Sequence, residues 1–229
     1  MELHTLCERL MVFEGDWDLI PDGGSGLNVH PLEVRPYDFL YQAEIDLTHS
    51  TAGSDQNAYT NAKRAITCAI DEILMTFGYE SLRWNTAKKV KTISEMGIPA
   101  PLIIGKINAT RNMLEHSYKR ASRSEAEDAV GVATLFVEAS SPVVRLFPGD
   151  FMMATGWESD HYKRSIVFGY SEDPDRGFRV FEYGAIERGI VFVTIDDSSF
   201  TRIVSLALAV NRGVGTESAF ENFRSSLRS

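Results

Sequence analysis

The stretch that decides the fold is SDQNAYTNAKRAITCAIDEILMTFG, residues 54–78. Its apolar positions Ala58, Ala62, Ile66, Ala69, Ile70, Ile73, Leu74 and Phe77 recur every three or four residues. That spacing puts them on one face of a long helix. Ser54 is placed to cap the start, because its hydroxyl can accept an otherwise unpaired backbone N–H. Gly78 is placed to end it, because glycine takes the left-handed conformation that closes a helix.

The same pattern extends to both sides. Upstream, Pro36 suits a first helical turn and precedes the stripe Phe39, Leu40, Ala43 and Leu47. Downstream, Ala87, Val90, Ile93 and Met96 form a shorter stripe closed by Gly97. Pro99 and Pro101 then start a helix through Ile103, Ile107 and Leu114 to about Lys119. Ser122 or Ser124, with Glu125 or Glu127 three residues on, is a capping-box pattern. It opens a helix striped with Ala126, Val130, Ala133, Phe136 and Val137. Helices joined by short turns predict an antiparallel bundle.

At Pro142 the pattern changes. Strands are expected at 143–147, 151–155, 162–170, 178–183 and 190–195, with a turn at Asp173–Gly177. Residues 202–209 suit either strand or helix, and 217–227 read as a short terminal helix. The glycine cluster at 22–26 reads as a flexible turn or linker. The expected class is therefore α+β. An arm (1–35) precedes a helical bundle (36–141), and a small β-rich domain (142–229) follows.

The 229 residues, 44% hydrophobic and 24% charged, fit a globular protein. No apolar run approaches the ~20 residues that span a bilayer, and no basic head with an apolar core marks a signal peptide. Two distant cysteines, Cys7 and Cys68, do not make a disulfide framework, so a cytoplasmic location is expected. Cys68 falls on an apolar helical face and reads as a small core residue. His4, His30, His49 and His161 show no metal-ligand spacing, and Asp196-Asp197 reads as a solvated turn.

The net charge of −9 conceals an asymmetry. From Arg83 to Arg123 there are nine Lys or Arg against two acids, a local +7, which leaves −16 on the remainder. A basic surface on an acidic protein can still bind a polyanion. A solvated lysine-rich helix face explains the same residues.

Within that window lies Arg111-Asn112-Met113-Leu114-Glu115-His116-Ser117-Tyr118. On a helix, Asn112 and His116 share one face and Arg111 and Tyr118 another, with Arg111 and His116 roughly 140° apart. A guanidinium forks onto phosphate oxygens, and an imidazole moves protons near neutral pH. RNA carries its own nucleophile, the 2′-hydroxyl. Cleavage then needs a base, an acid and a cation, with no metal and no cofactor. One histidine cannot serve both sides of the phosphorus, whereas a symmetric dimer supplies two. The structural alternatives are an Arg111–Glu115 ion pair, a satisfied structural His116 and a packing Tyr118.

The stretch resembles the HEPN family, whose signature is an Arg, commonly followed by Asn, and a His four to six residues on, late in a helical bundle. The resemblance covers about residues 36–141. It implies a metal-independent endoribonuclease, a toxin or defence effector, that acts as a homodimer through the bundle and leaves 2′,3′-cyclic phosphate and 5′-hydroxyl ends. Arg111 would hold phosphate, His116 would transfer the proton and Asn112 would orient one of them. Lys106, Lys119 and Arg120 would bind the RNA backbone. The form Arg-x4-His-x-Tyr is similar to toxins whose tyrosine is modified by a nucleotidyltransferase antitoxin, which makes Tyr118 a candidate modification site. Two alternatives stay open: a non-catalytic HEPN scaffold for dimerisation or nucleotide binding, and an adaptor bundle with the function in 142–229.

Overall fold

The structure, a computed structural model, describes residues 2–24, 26–98, 120–158, 161–172 and 176–228. The described residues form seven α-helices and a five-stranded sheet, an α+β fold. The helices are α1 (Leu3–Arg9), α2 (Pro36–Thr48), α3 (Ala52–Thr76), α4 (Thr86–Glu95), α5 (Arg123–Arg145), α6 (Phe200–Arg212) and α7 (Thr216–Arg228). The strands are β1 (Asp18–Gly23), β2 (Asp150–Glu158), β3 (His161–Ser171), β4 (Gly177–Glu182) and β5 (Val191–Val193). Among the described residues no helix is long and apolar enough to cross a membrane.

The central helix α3 is capped three residues earlier than expected. Thr51 is the N-cap and Ser54 occupies the third helical position, each hydroxyl accepting the other's backbone N–H at 3.1 Å. At the far end Gly78 (φ +101°) follows the C-cap Phe77. Its N–H donates to the carbonyl of Met75 at 2.9 Å, and that of Tyr79 donates to Leu74 at 3.0 Å. This double bond pattern satisfies carbonyls the helix leaves open, and its left-handed residue is most cheaply a glycine. Of the two expected capping-box alternatives, the one made by Ser122 and Glu125 is present at the start of α5.

Side-chain contacts give the helix directions. Ala121 N–H donates to Gln56 Oε1 at 3.1 Å, and Arg123 lies 3.3 Å from Asp55, so α5 starts where α3 starts. Phe77 and Phe147, just beyond the other ends, pack edge to face at 5.2 Å. Neighbouring α3 and α5 therefore run parallel. The three-residue link from α2 to α3 makes α2 antiparallel to both.

The expected change at Pro142 does not fall there, and residues 143–145 are not strand. Helix α5 continues to Arg145 with Pro142 inside it. Proline lacks its own N–H but leaves its carbonyl usable, and Leu146 donates to it at 3.0 Å. Burial of Val143 and Val144 on the inner side of the helix outweighs their β-propensity. Residues 202–209 lie in helix α6, and the terminal helix is α7.

The sheet is an antiparallel meander in chain order, β1-β2-β3-β4-β5. Its inner face is read off the register: Phe151 opposite Phe168, Phe168 opposite Val180, and Phe178 opposite Val193, all buried. The alternating partners Arg179 and Phe192 are exposed. This is the period-two pattern of a sheet covered on one side.

The segment expected as an unpatterned arm supplies α1 and the edge strand β1, which pairs with β2 from Asp18 opposite Ala154 to Gly23 opposite Asp150. Nor is the glycine cluster a free linker. Asp22 and Gly23 belong to β1, and Leu27 N–H donates to the Val144 carbonyl at 2.8 Å. Gly26 (φ +80°) lies so close to the Arg145 carbonyl that a Cβ there would collide with it.

The helices and the sheet share one continuous cluster of buried side chains. At its centre Phe77 of the α3 terminus meets Phe147, Tyr170 of β3 and Phe200 of α6, with ring centroids 5.2, 5.9 and 6.3 Å away. Phe77→Ala is expected to cost about 3–5 kcal/mol. Helical circular dichroism and tryptophan fluorescence should then shift together in urea. Two separated transitions would show instead that the helices and the sheet unfold as independent units.

Candidate functional site

Residues 99–119 lie outside the described residues, so the structure says nothing of Arg111, Asn112, His116, Tyr118, Lys106 or Lys119. Of the predicted site residues only Arg120 is described, and it is exposed beside the bonded Ala121. Upstream, the Gly97 carbonyl accepts from Arg212 of α6 at 3.1 Å.

The basic window is weaker at the surface than its charge count suggests. Lys89 is buried and bonded to Asp71 Oδ2 at 2.7 Å. Arg123 spends its guanidinium on Glu127 (2.6 Å), Asp55 (3.3 Å) and the carbonyls of Leu47 (2.7 Å) and His49 (3.1 Å). Both hold the helices together. Lys91 is 3.9 Å from Glu95, and Lys88 sits over the Trp84 ring at 3.7 Å. Exposed Arg83 and Arg120 remain outward-facing charges among the described part of the window.

A different constellation is well defined. Thr60, Lys63, Arg64, Thr67, Cys68 and Asp71 fall on one face of α3 at helical spacing, and they line an open groove of about 610 Å³. Its walls are apolar: Leu32 and Val34 from the segment before α2, Phe39 of α2, and Leu82 in the 3-10 turn Ser81–Arg83. Asp71 is buried in its lining. Besides Lys89 it accepts from Ser81 Oγ at 2.6 Å, so this buried carboxylate is neutralised and hydrogen-bonded. Sequence reasoning missed the pair. The available signal was a carboxylate between Ile70 and Ile73 on an apolar face, and a lysine four residues before Ile93 on another.

The groove is built to bind rather than to attack. The Thr60 and Thr67 hydroxyls donate to the carbonyls of Gln56 (2.9 Å) and Lys63 (3.1 Å). Cys68 is not the core residue its stripe suggested. It is half-buried on the groove, where its Sγ donates to the Val34 carbonyl at 3.3 Å. Burial pushes its thiol up to about 12, and the nearby carboxylates of Glu72, Asp71 and Asp38 push the same way. A thiol that holds its proton so firmly is a poor nucleophile.

Asp197 accepts from the N–H and hydroxyl of Thr194 at 2.7 and 3.1 Å, which closes a turn. Among the described residues no group of three or more His, Cys, Asp or Glu could hold a metal ion. Comparison with protein families, with curated proteins and with solved structures gives no match to this chain.

Two outcomes follow. Lys89→Met strands the Asp71 carboxylate and should cost about 3–5 kcal/mol, while the double variant Asp71→Leu/Lys89→Met should regain most of it. Urea unfolding of the three proteins checks this, and no recovery in the double variant would show that the pair acts by packing alone. Separately, an unfolded thiol ionises from about pH 9, whereas folded Cys68 stays neutral to about 12. Its contribution to stability is therefore complete below pH 9 and is lost as the pH rises through that window. Iodoacetamide labelling of the folded protein should keep accelerating, roughly tenfold per pH unit, well past pH 9. A plateau near pH 9 would contradict the shift.

Proposed function

We propose that the protein is a metal-independent endoribonuclease of the HEPN type, a toxin or defence effector acting in the cytoplasm. The observation that carries this reading is the Arg111–Tyr118 sequence and its place between α4 and α5. The directions of α3 and α5 support it. The stretch from Gly78 to Arg120, which contains the motif, returns the chain from the Phe77 end of α3 to its Thr51 end.

In the proposed reaction one His116 of a homodimer removes the proton from the 2′-hydroxyl, and the 2′-oxygen attacks phosphorus. The P–O5′ bond breaks, and the second His116 protonates the departing 5′-oxygen. Arg111 of each copy neutralises the crowded phosphorus oxygens, and Asn112 orients either Arg111 or His116. Lys106, Lys119 and exposed Arg120 track the RNA backbone. Nucleotidylation of Tyr118 by an antitoxin would place negative charge at the motif and repel RNA.

His116→Ala and Arg111→Ala should each lower RNA cleavage by about a hundredfold or more with an unchanged circular dichroism spectrum and no response to EDTA. The wild-type products should carry 2′,3′-cyclic phosphate ends. Wild-type protein that leaves total RNA intact while remaining dimeric would sink the proposal in favour of a non-catalytic scaffold.

A further inference from the structure

We propose that the outer face of α5 is the surface through which two copies of this chain pair, side by side and antiparallel. The inference rests on the homodimer of the proposed ribonuclease and names the helix that makes it. Helical spacing puts Gly131, Leu135, Ala139, Pro142 and the C-cap Leu146 on one face. The opposite face carries the buried Ala126, Ala133, Val137 and Val144. Leu135 is 70% exposed and Leu146 62%, so the outer face is apolar and open. Gly131 points the same way. Glycine weakens a helix interior relative to alanine, yet among the described residues a Cβ there would meet nothing within 4 Å. The close approach of a second backbone supplies the reason that this chain lacks.

Charge complementarity sets the occupant and its direction. Glu127 and Asp128 stand at the start of the face and Arg145 at its end. Asp128 and Arg145 are exposed, and neither has an ion pair among the described residues. Arg145 feels Glu72 and Glu127 is held by Arg123, which leaves the start of the face acidic and its end basic. A parallel pair would set like charge against like at both ends. A two-fold axis between Leu135 and Ala139 instead sets Gly131 of one copy against Pro142 of the other, and the acidic start against Arg145. It also lays the two helix dipoles head to tail. The face is thus complementary to itself.

The test is sedimentation equilibrium of the full chain over a dilution series. Wild type is expected to be dimeric. Leu135→Glu should keep its circular dichroism spectrum and weaken the dimer about a hundredfold or more, because it buries a carboxylate against an apolar face. Arg145→Glu should weaken it about tenfold at low salt. Under mild oxidation, a mixture of Gly131→Cys and Pro142→Cys proteins should form the mixed disulfide in excess of either same-variant one. The proposal is overturned by a monomeric wild type, by a Leu135→Glu protein that stays dimeric, or by same-variant disulfides in excess. It is equally overturned if Leu135→Glu unfolds, which would show the face covered by its own chain. Failure is separable from that of the ribonuclease reading. A Leu135→Glu dimer that cleaves RNA removes this surface and keeps the reaction. A wild-type dimer that dissociates as expected on substitution but leaves RNA intact keeps the surface and removes the reaction.

Discussion

The packing of helices on sheet among the described residues leans on the contact of Phe77 with Phe147, Tyr170 and Phe200. The four rings come from the end of α3, the segment after α5, the third strand and the start of α6. Each belongs to an element that buries only one face by itself. Edge-to-face packing of such rings combines a large apolar area with a preferred geometry. It therefore fixes the angle at which helices meet sheet as well as holding them together. The groove follows from this: α3, pinned at its Phe77 end, presents its Thr60–Asp71 face toward Val34 and Phe39.

Local signals in the sequence were read well because their causes are local. The capping box at Ser122 and the glycine after Phe77 depend on backbone groups within a few residues. Strands β4 and β5 alternate buried Phe178, Val180, Val191 and Val193 with exposed Arg179 and Phe192, the local signature of a sheet with one covered face. Signals that depend on distant partners were not legible. Strand β1 is interrupted by Pro21 and runs into a glycine cluster, so it does not announce itself, and its partner β2 lies more than a hundred residues on. Pro142 reads as a breaker, yet a proline near a helix end costs one hydrogen bond that burial of Val143 and Val144 offsets.

The chemistry divides the same way. The Arg111–Tyr118 stretch is visible because its residue types are unusual together, not because the sequence says what surrounds them. The positive window looked like a surface, but Lys89 and Arg123 hold the helices together. A charge count cannot distinguish a cation that faces water from one that faces Asp71. The α3 groove was invisible for a related reason. Its residues are an ordinary polar helix face until Val34 and Leu82 are brought over it.

The first strand of the sheet also sets an order of events. A ribosome releases β1 long before β2, and at roughly 5–20 residues per second the wait is on the order of ten seconds. During that interval Asp18–Gly23 has no ladder to join, and joining it closes a very long loop. Of the pairings in the sheet, β1 with β2 closes by far the longest loop and so carries the largest closure entropy. Until β1 joins, the edge of β2 that it covers is open to other pairing partners.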